Sequence, residues 1–202
     1  MDDLSRPDSE FKQAYRELAI INRWLGGVRA IERFLPARRC LTILDVAAGG
    51  CDVGETVAQQ SSGRSVSLDL NPRGLQYCRL TLPVVGDAMA LPFSRGSFDV
   101  VMCSLFFHHL TDDACVRALE EMWRTTRDRV IVNDLHRHPI AHASIRALSS
   151  LFSKSVMVKH DGPASVRRAF RPAELLEIAR RARIPARVYR SFPYRLVLVA
   201  RK

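Results

Sequence analysis

The run Ile43-Leu44-Asp45-Val46-Ala47-Ala48-Gly49-Gly50-Cys51-Asp52-Val53 decides the fold. An apolar, β-type stretch closes on an acidic residue, breaks into small residues and opens into a helix-like segment. Such a junction makes a ligand cradle: short side chains let a ligand lie against the backbone, and the helix start offers unpaired N–H donors to a carboxylate or phosphate. Asp69 ends the next apolar run, Ser65-Val66-Ser67-Leu68-Asp69-Leu70, 24 positions after Asp45. In an open α/β sheet a carboxylate there accepts hydrogen bonds from ribose hydroxyls. Val84-Val85-Gly86-Asp87-Ala88-Met89 repeats the pattern. Three strands that each end at a carboxylate point to a nucleoside-like cofactor lying across the strand ends.

Outward from this stretch, strand and helix signals alternate: strand 41–46, helix 53–60, strand 65–70, helix 72–79, strand 83–86, strand 99–104, helix 112–126 and strand 129–134. This rhythm predicts right-handed βαβ crossovers and a parallel sheet. Ahead of it, residues 9–35 read as helical with a break at Gly26-Gly27, a cap formed by residues 1–38 over a cofactor-binding core at 40–135. After Asp134 the alternation stops, and residues 136–170 read as a lid over an acceptor. Residues 171–202 hold a final helix and two strands (187–192 and 194–201), which predict an antiparallel edge to a doubly wound, mostly parallel seven-stranded α/β sheet of Rossmann-like kind. The 202 residues form one domain.

Composition excludes several classes. Hydrophobic residues make up 47% and charged residues 26%, as in an ordinary globular protein. No apolar stretch approaches the roughly 18 residues of a membrane span. The polar, acidic start does not read as a signal peptide, and the expected location is the cytoplasm. Five scattered cysteines without a Cys-x-x-Cys pair predict neither a disulfide framework nor a metal site. The net charge of +10 is uneven: residues 136–202 carry 15 basic and 3 acidic side chains. Such a rim suits an anionic substrate, an acidic carrier protein, nucleic acid or a membrane surface, or decorates a solvated surface.

Three kinds of small-residue loop compete at 47–56. A dinucleotide fingerprint needs Gly-x-Gly-x-x-Gly, which Ala47-x-Gly49-x-Cys51 does not supply. A P-loop needs a lysine where Glu55 stands, and that anion would repel a triphosphate. The remaining pattern resembles the first motif of class I S-adenosylmethionine-dependent methyltransferases, acidic-x-Gly-x-Gly-x-Gly. Val66 to Asn71 resembles their second strand with its ribose-binding acid, Gly86-Asp87-Ala88-Met89-Ala90-Leu91-Pro92-Phe93 their adenine-contacting motif, and Ser97 to Leu110 their fourth strand and following loop. Within the class the chain is most similar to small-molecule enzymes of the quinone and aromatic polyketide type.

The resemblance implies S-adenosyl-L-methionine as cofactor. Asp45 would orient the loop and meet the methionine amino group, with Ala47, Gly49 and Cys51 along the loop. Asp69, followed by Leu70, would hold the ribose, and Asp87, followed by Ala88, the adenine amino group. Cys103 and Ser104 would flank the methionine part, and Cys51 is expected to present its sulfur to the carboxylate end. Ala47 and Cys51 replace family glycines.

Methyl transfer to a hydroxyl needs a base with a pKa near 7, which suits histidine. All six histidines lie after position 107. His109 is the preferred base, with His160 and His108 as alternatives. The expected acceptor is a small phenolic or polyketide-type molecule, methylated on oxygen rather than carbon. An RNA methyltransferase using the basic C-terminal third is a second reading. Against it, the fourth strand is not followed by Asn/Asp-Pro-Pro-Tyr/Phe, and nucleic acid is an unfavoured partner. A non-catalytic cofactor-binding protein with an altered glycine loop is the third.

Overall fold

The computed structural model describes residues 26–37, 39–141, 143–145 and 164–202, and residues 13, 15–17, 19, 20 and 22 of the N-terminal segment. The lid expectation over 146–163, with His160, falls outside the described residues.

Seven strands form one sheet in the order β3-β2-β1-β4-β5-β7-β6. They are β1 (Thr42–Val46), β2 (Arg64–Asp69), β3 (Leu82–Val85), β4 (Phe98–Ser104), β5 (Thr126–Leu135), β6 (Ala186–Ser191) and β7 (Arg195–Arg201). The first five are mutually parallel, and β7 runs antiparallel to both β5 and β6. The predicted alternation therefore becomes a doubly wound sheet whose antiparallel hairpin closes one side.

Composition explains the order at that side. Arg195-Leu196-Val197-Leu198-Val199-Ala200 is buried throughout, as a strand covered on both faces must be. In β6, Arg187 and Arg190 face solvent, which suits an outer strand that must resist edge-to-edge pairing.

The flanking helices are α1 (Gly27–Glu32), α2 (Asp52–Gln60), α3 (Pro72–Leu75), α4 (Asp112–Thr125) and α5 (Pro172–Arg181). Gly26, with φ 69°, is the N-cap of α1, so a helix starts anew at the two glycines as expected. Ile31 and Phe34 join Val53, Val57, Met102, Ile131 and Val197 in an apolar layer on one face of the sheet. Leu119 and Met122 of α4 and Leu175 and Ile178 of α5 join Leu44, Val101, Val132 and Leu198 on the other.

α3 is shorter than its sequence predicts. Asn71 caps it by accepting the Arg73 N–H at 3.0 Å, and Pro72 suits the first turn. The chain then turns out of the helix because Glu55, on α2, accepts the N–H groups of Arg79 and Leu80. A tertiary carboxylate thus takes donors that another helical turn would have used.

Candidate cofactor and acceptor site

Register brings the candidate residues to one edge. Asp45 pairs across from Ser67 and Met102, Ser104 from Asn133, and Leu135 from Arg195. The carboxyl ends of β1, β2, β4 and β5 thus meet the start of β7 along a single rim, where ligands bind in open α/β sheets.

The loop after β1 takes the left-handed conformation at Ala47 (φ 57°), Gly49 (φ 54°) and Cys51 (φ 65°). These are the three positions where the resemblance calls for glycine. A non-glycine residue there costs about 1–2 kcal/mol. The loop is tied down by Ala48 N–H to Leu68 O at 3.0 Å and by Gly49 N–H to Asp69 Oδ2 at 2.8 Å. The other Asp69 oxygen accepts the Asn71 N–H at 2.8 Å. Asp69 therefore braces the loop as well as lying at the rim, and its neighbour Leu70 is 72% exposed, an apolar platform at the end of β2. Asp87 is exposed and accepts the Met89 N–H at 2.9 Å, while Ala88 is buried.

Asp45 lies 1% exposed beneath the first turn of α2, where a Cβ on Gly54 would stand 2.7 Å from its Oδ2. Burial, then the charges of Asp52 and Asp69, push its carboxyl well above the usual range, and Oδ2 has no hydrogen-bond partner in the protein. A buried orphan acceptor at the end of β1 fits a cationic amino donor. The left-handed loop, this buried acceptor and the exposed Leu70 thus share one rim.

One expected contact needs correction. Cys51 is fully buried and joined to Cys78 in a disulfide, with Cα atoms 5.3 Å apart. Its sulfur faces the end of α3 rather than a cofactor, and the expectation of no disulfide fails with it. Folding brings together two cysteines 27 positions apart, which no spacing rule registers. Cys103 is also fully buried, within the apolar layer under α4, and burial followed by the Asp134 and Asp45 charges pushes its thiol well up. Ser104, the next residue, reaches the rim, and its Oγ accepts from Asn133 Nδ2 at 2.9 Å.

The three histidine candidates separate clearly. His160 lies outside the described residues. His109 is exposed on the turn Phe107–His109, its ring 4.1 Å from that of His108. His108 is buried, with Nδ1 2.7 Å from Asp134 Oδ1 and its backbone N–H donating to Oδ2 at 3.2 Å. Burial alone would raise the Asp134 carboxyl. The His108 charge, the His108 ring and the Leu135 and His108 N–H groups outweigh burial and bring it below the usual range. An Nδ1–H held by that carboxylate leaves Nε2 as the basic nitrogen.

Other contributors carry no sequence signature. Tyr15 packs over the glycine loop, 3.4 Å from where a Cβ on Gly49 or Gly50 would stand. Burial, then Asp69 and Tyr77, push its hydroxyl up to about 12. Asn22 donates to Asp52 at 3.3 Å and accepts from Arg195 Nη2 at 3.3 Å. Arg195 is 2% exposed; burial lowers it to about 10 against the opposing pull of Asp134 and Asp52. Asn22 thus joins Arg195 to Asp52 at the start of α2, and the Arg195 guanidinium also feels the charge of Asp134, the partner of His108. Tyr15 reads in sequence as one more member of an apolar helical stripe, and Asn22, Asp134 and Arg195 as ordinary polar residues.

Among the described residues no group of His, Cys, Asp or Glu is arranged to hold a metal, and no helix is long and apolar enough to cross a membrane.

Residues 43–129 match a family model described as a methyltransferase domain. The demethylmenaquinone methyltransferase of Roseiflexus sp. (strain RS-1) is 32% identical over 118 residues, covering 52% of this chain and 48% of that protein. The chain spans about half the length of the curated relatives it matches. A SAM-dependent methyltransferase structure from Aquifex aeolicus superposes with a TM-score of 0.70 at 15% identity, covering 97% of this chain and 98% of that one. An O-methyltransferase family 2 protein from Planctomyces limnophilus, in complex with apigenin, gives 0.70 at 15% identity over 100% of this chain and 63% of that one. At such identity these structures show a shared fold.

Proposed function

We propose that this chain is a class I S-adenosylmethionine-dependent methyltransferase that transfers a methyl group to an oxygen of a small phenolic or polyketide-type acceptor, with His108 as the base; the match of residues 43–129 to a methyltransferase domain supports the reading. The observation that carries this reading is the buried His108–Asp134 pair at the carboxyl rim, beside Ser104 and on the same sheet edge as Asp45. S-Adenosylmethionine supplies a methyl group on a sulfonium, itself an excellent leaving group. The protein then has two tasks: to hold the acceptor in line and to take its proton.

In this reading Asp45 receives the cofactor amino group, Gly49 admits its backbone approach, Asp69 accepts the ribose hydroxyls, and Leu70 and Ala88 bracket the adenine with Asp87 at its amino group. Ser104 and Asn133 line the acceptor side, where Asn133 Oδ1 is buried without a hydrogen-bond partner and can accept from an acceptor hydroxyl. Asp134 fixes the His108 tautomer so that Nε2 receives the phenolic proton. A relative named demethylmenaquinone methyltransferase and an O-methyltransferase structure in complex with apigenin support a small aromatic acceptor.

The sequence after β4, which lacks Asn/Asp-Pro-Pro-Tyr/Phe, favours this over RNA methylation. Arg137 pairs with Glu174, Arg180 with Glu177 and Arg181 with Asp113, while Arg195 is buried. Of these pairs only that of Arg181 draws on an acid from outside the C-terminal third, so most of the excess remains to attract an anionic small acceptor.

The test is a panel of phenols and hydroxyquinones offered with a methyl-labelled donor. A labelled methyl ether, lost in His108→Ala with S-adenosylhomocysteine binding intact, is the expected result. Label on carbon or on RNA, or undiminished turnover in the variant, would overturn the assignment.

A further inference from the structure

Cys51 and Cys78 form, we propose, a reversible thiol–disulfide exchange site that sets the affinity of the cradle for its adenosyl cofactor. The proposal rests on the methyltransferase reading above for the identity of that cofactor, and on geometry for the rest.

Cys51 stands at the cap of α2, the last residue of the glycine loop, in a left-handed conformation that a side chain disfavours. Its bond to Cys78 closes a ring containing α2, β2 and α3, and so containing Asp69 and Leu70 on the ribose side. Behind the same junction Glu55 accepts the N–H groups of Arg79 and Leu80. The segment after α3 is thus held to the first turn of α2 twice, once covalently and once by hydrogen bonds. Opening the covalent tie leaves the other in place, so the reduced protein stays folded while Cys51 is freed to leave its left-handed conformation. Where the family relies on glycine to make that conformation cheap, this chain relies on a cross-link.

The remaining cysteines do not compete. Cys103 and Cys115 are buried, with thiols raised by burial, and Cys40 lies before β1, at the opposite end of the strands. Cys78 is half-buried and Cys51 fully buried, so an external reagent meets Cys78 first. Oxidation by a small-molecule disulfide RSSR proceeds in two exchanges. The Cys78 thiolate attacks one sulfur and releases RS⁻; the Cys51 thiolate then attacks Cys78 Sγ in the mixed disulfide and releases the second RS⁻. The two cysteine protons end on the two released thiols. The protein loses two electrons, and RSSR is reduced to 2 RSH.

The experiment equilibrates the protein with glutathione disulfide or dithiothreitol, maps peptides without reduction, and titrates each form with S-adenosylhomocysteine. The expected result is a Cys51–Cys78 peptide that appears and disappears reversibly, with a dissociation constant about tenfold lower in the oxidised form. Cys78→Ser should bind like the reduced form in either reagent, and Cys51→Gly like the oxidised form. Absence of the linked peptide overturns the proposal, as does equal affinity in both forms of the wild type. If the link forms reversibly but no form binds S-adenosylhomocysteine, the control of affinity falls together with the cofactor reading; if binding is sound but insensitive to the link, this proposal alone falls.

Discussion

His108 Nδ1 lies 2.7 Å from Asp134 Oδ1, with the two side chains at 3% and 0% exposure. A charge-bearing pair this deep is retained in competition with apolar packing, which often stabilises as well or better. Its place at the carboxyl rim, on the same sheet edge as Asp45, gives a functional reason for keeping it.

Replacing His108 by Ala should therefore lower kcat by about 10²–10⁴-fold, the usual loss for a general base. S-Adenosylhomocysteine affinity should change less than threefold, because no cofactor contact is assigned to the ring. His109→Ala should retain most of the activity. Steady-state kinetics on the two variants separates the adjacent histidines, and the opposite ranking would return the role to His109.

Asp134→Asn should destabilise the fold by about 3–5 kcal/mol, since it strands His108 and part of the Arg195 charge in the interior. Its pH dependence has a definite sign. The folded carboxyl is held below its usual value, so its contribution is fully present above the unfolded pKa of about 3.9 and is lost as pH falls through the lowered folded value. Urea unfolding of wild type from pH 7 down to pH 3 should show that loss, and the variant should show less of it.

Asp45 behaves in the opposite way. Its carboxyl is raised by burial, so its contribution to stability is fully present below about pH 3.9 and is lost as pH rises through the raised folded value. Asp45→Asn should be as stable as wild type at pH 8 or more so, yet bind S-adenosylhomocysteine at least tenfold more weakly. A variant that is less stable at pH 8 and binds normally would make Asp45 a purely structural residue.

Asp69→Ala removes two backbone hydrogen bonds, to Gly49 and Asn71, along with the assigned ribose contact. Charge-assisted bonds of this kind contribute about 1.5–3 kcal/mol each, so loop order and cofactor affinity should fall together. Asp69→Asn keeps the acceptor to one N–H and should lose affinity by at least tenfold with a smaller shift in Tm. Calorimetric titration beside a thermal melt distinguishes the two effects, and unchanged affinity in both variants would remove Asp69 from the site.

RNA should not bind at micromolar concentration in physiological salt, because the sequence after β4 lacks the base-methylation signature and the basic third is assigned to an anionic small acceptor. Filter binding across a salt series measures this directly. A steep salt slope would reinstate the nucleic-acid reading.

What the sequence by itself determined is the part of the protein encoded in short-range pattern. The strand-acid-small-residue run at 43–53, its echoes at Asp69 and Asp87, and the alternation through Asp134 specify a parallel sheet, because apolar period and small-residue breaks act over a few neighbouring residues. The break at Gly26 and the hairpin at Pro193 were legible for the same reason. What only the tertiary structure decided involves residues distant in sequence that meet through register and crossing. β5 and β7 align Leu135 with Arg195, α2 carries Cys51 to Cys78, and the N-terminal segment lays Tyr15 and Asn22 over the glycine loop. The choice between adjacent His108 and His109 belongs to the same category. One turn of backbone points His108 into the sheet, against a carboxylate 26 positions away, and leaves its neighbour in water. Local pattern records which residues can form a strand or a cap; long-range packing selects which buried charges find each other.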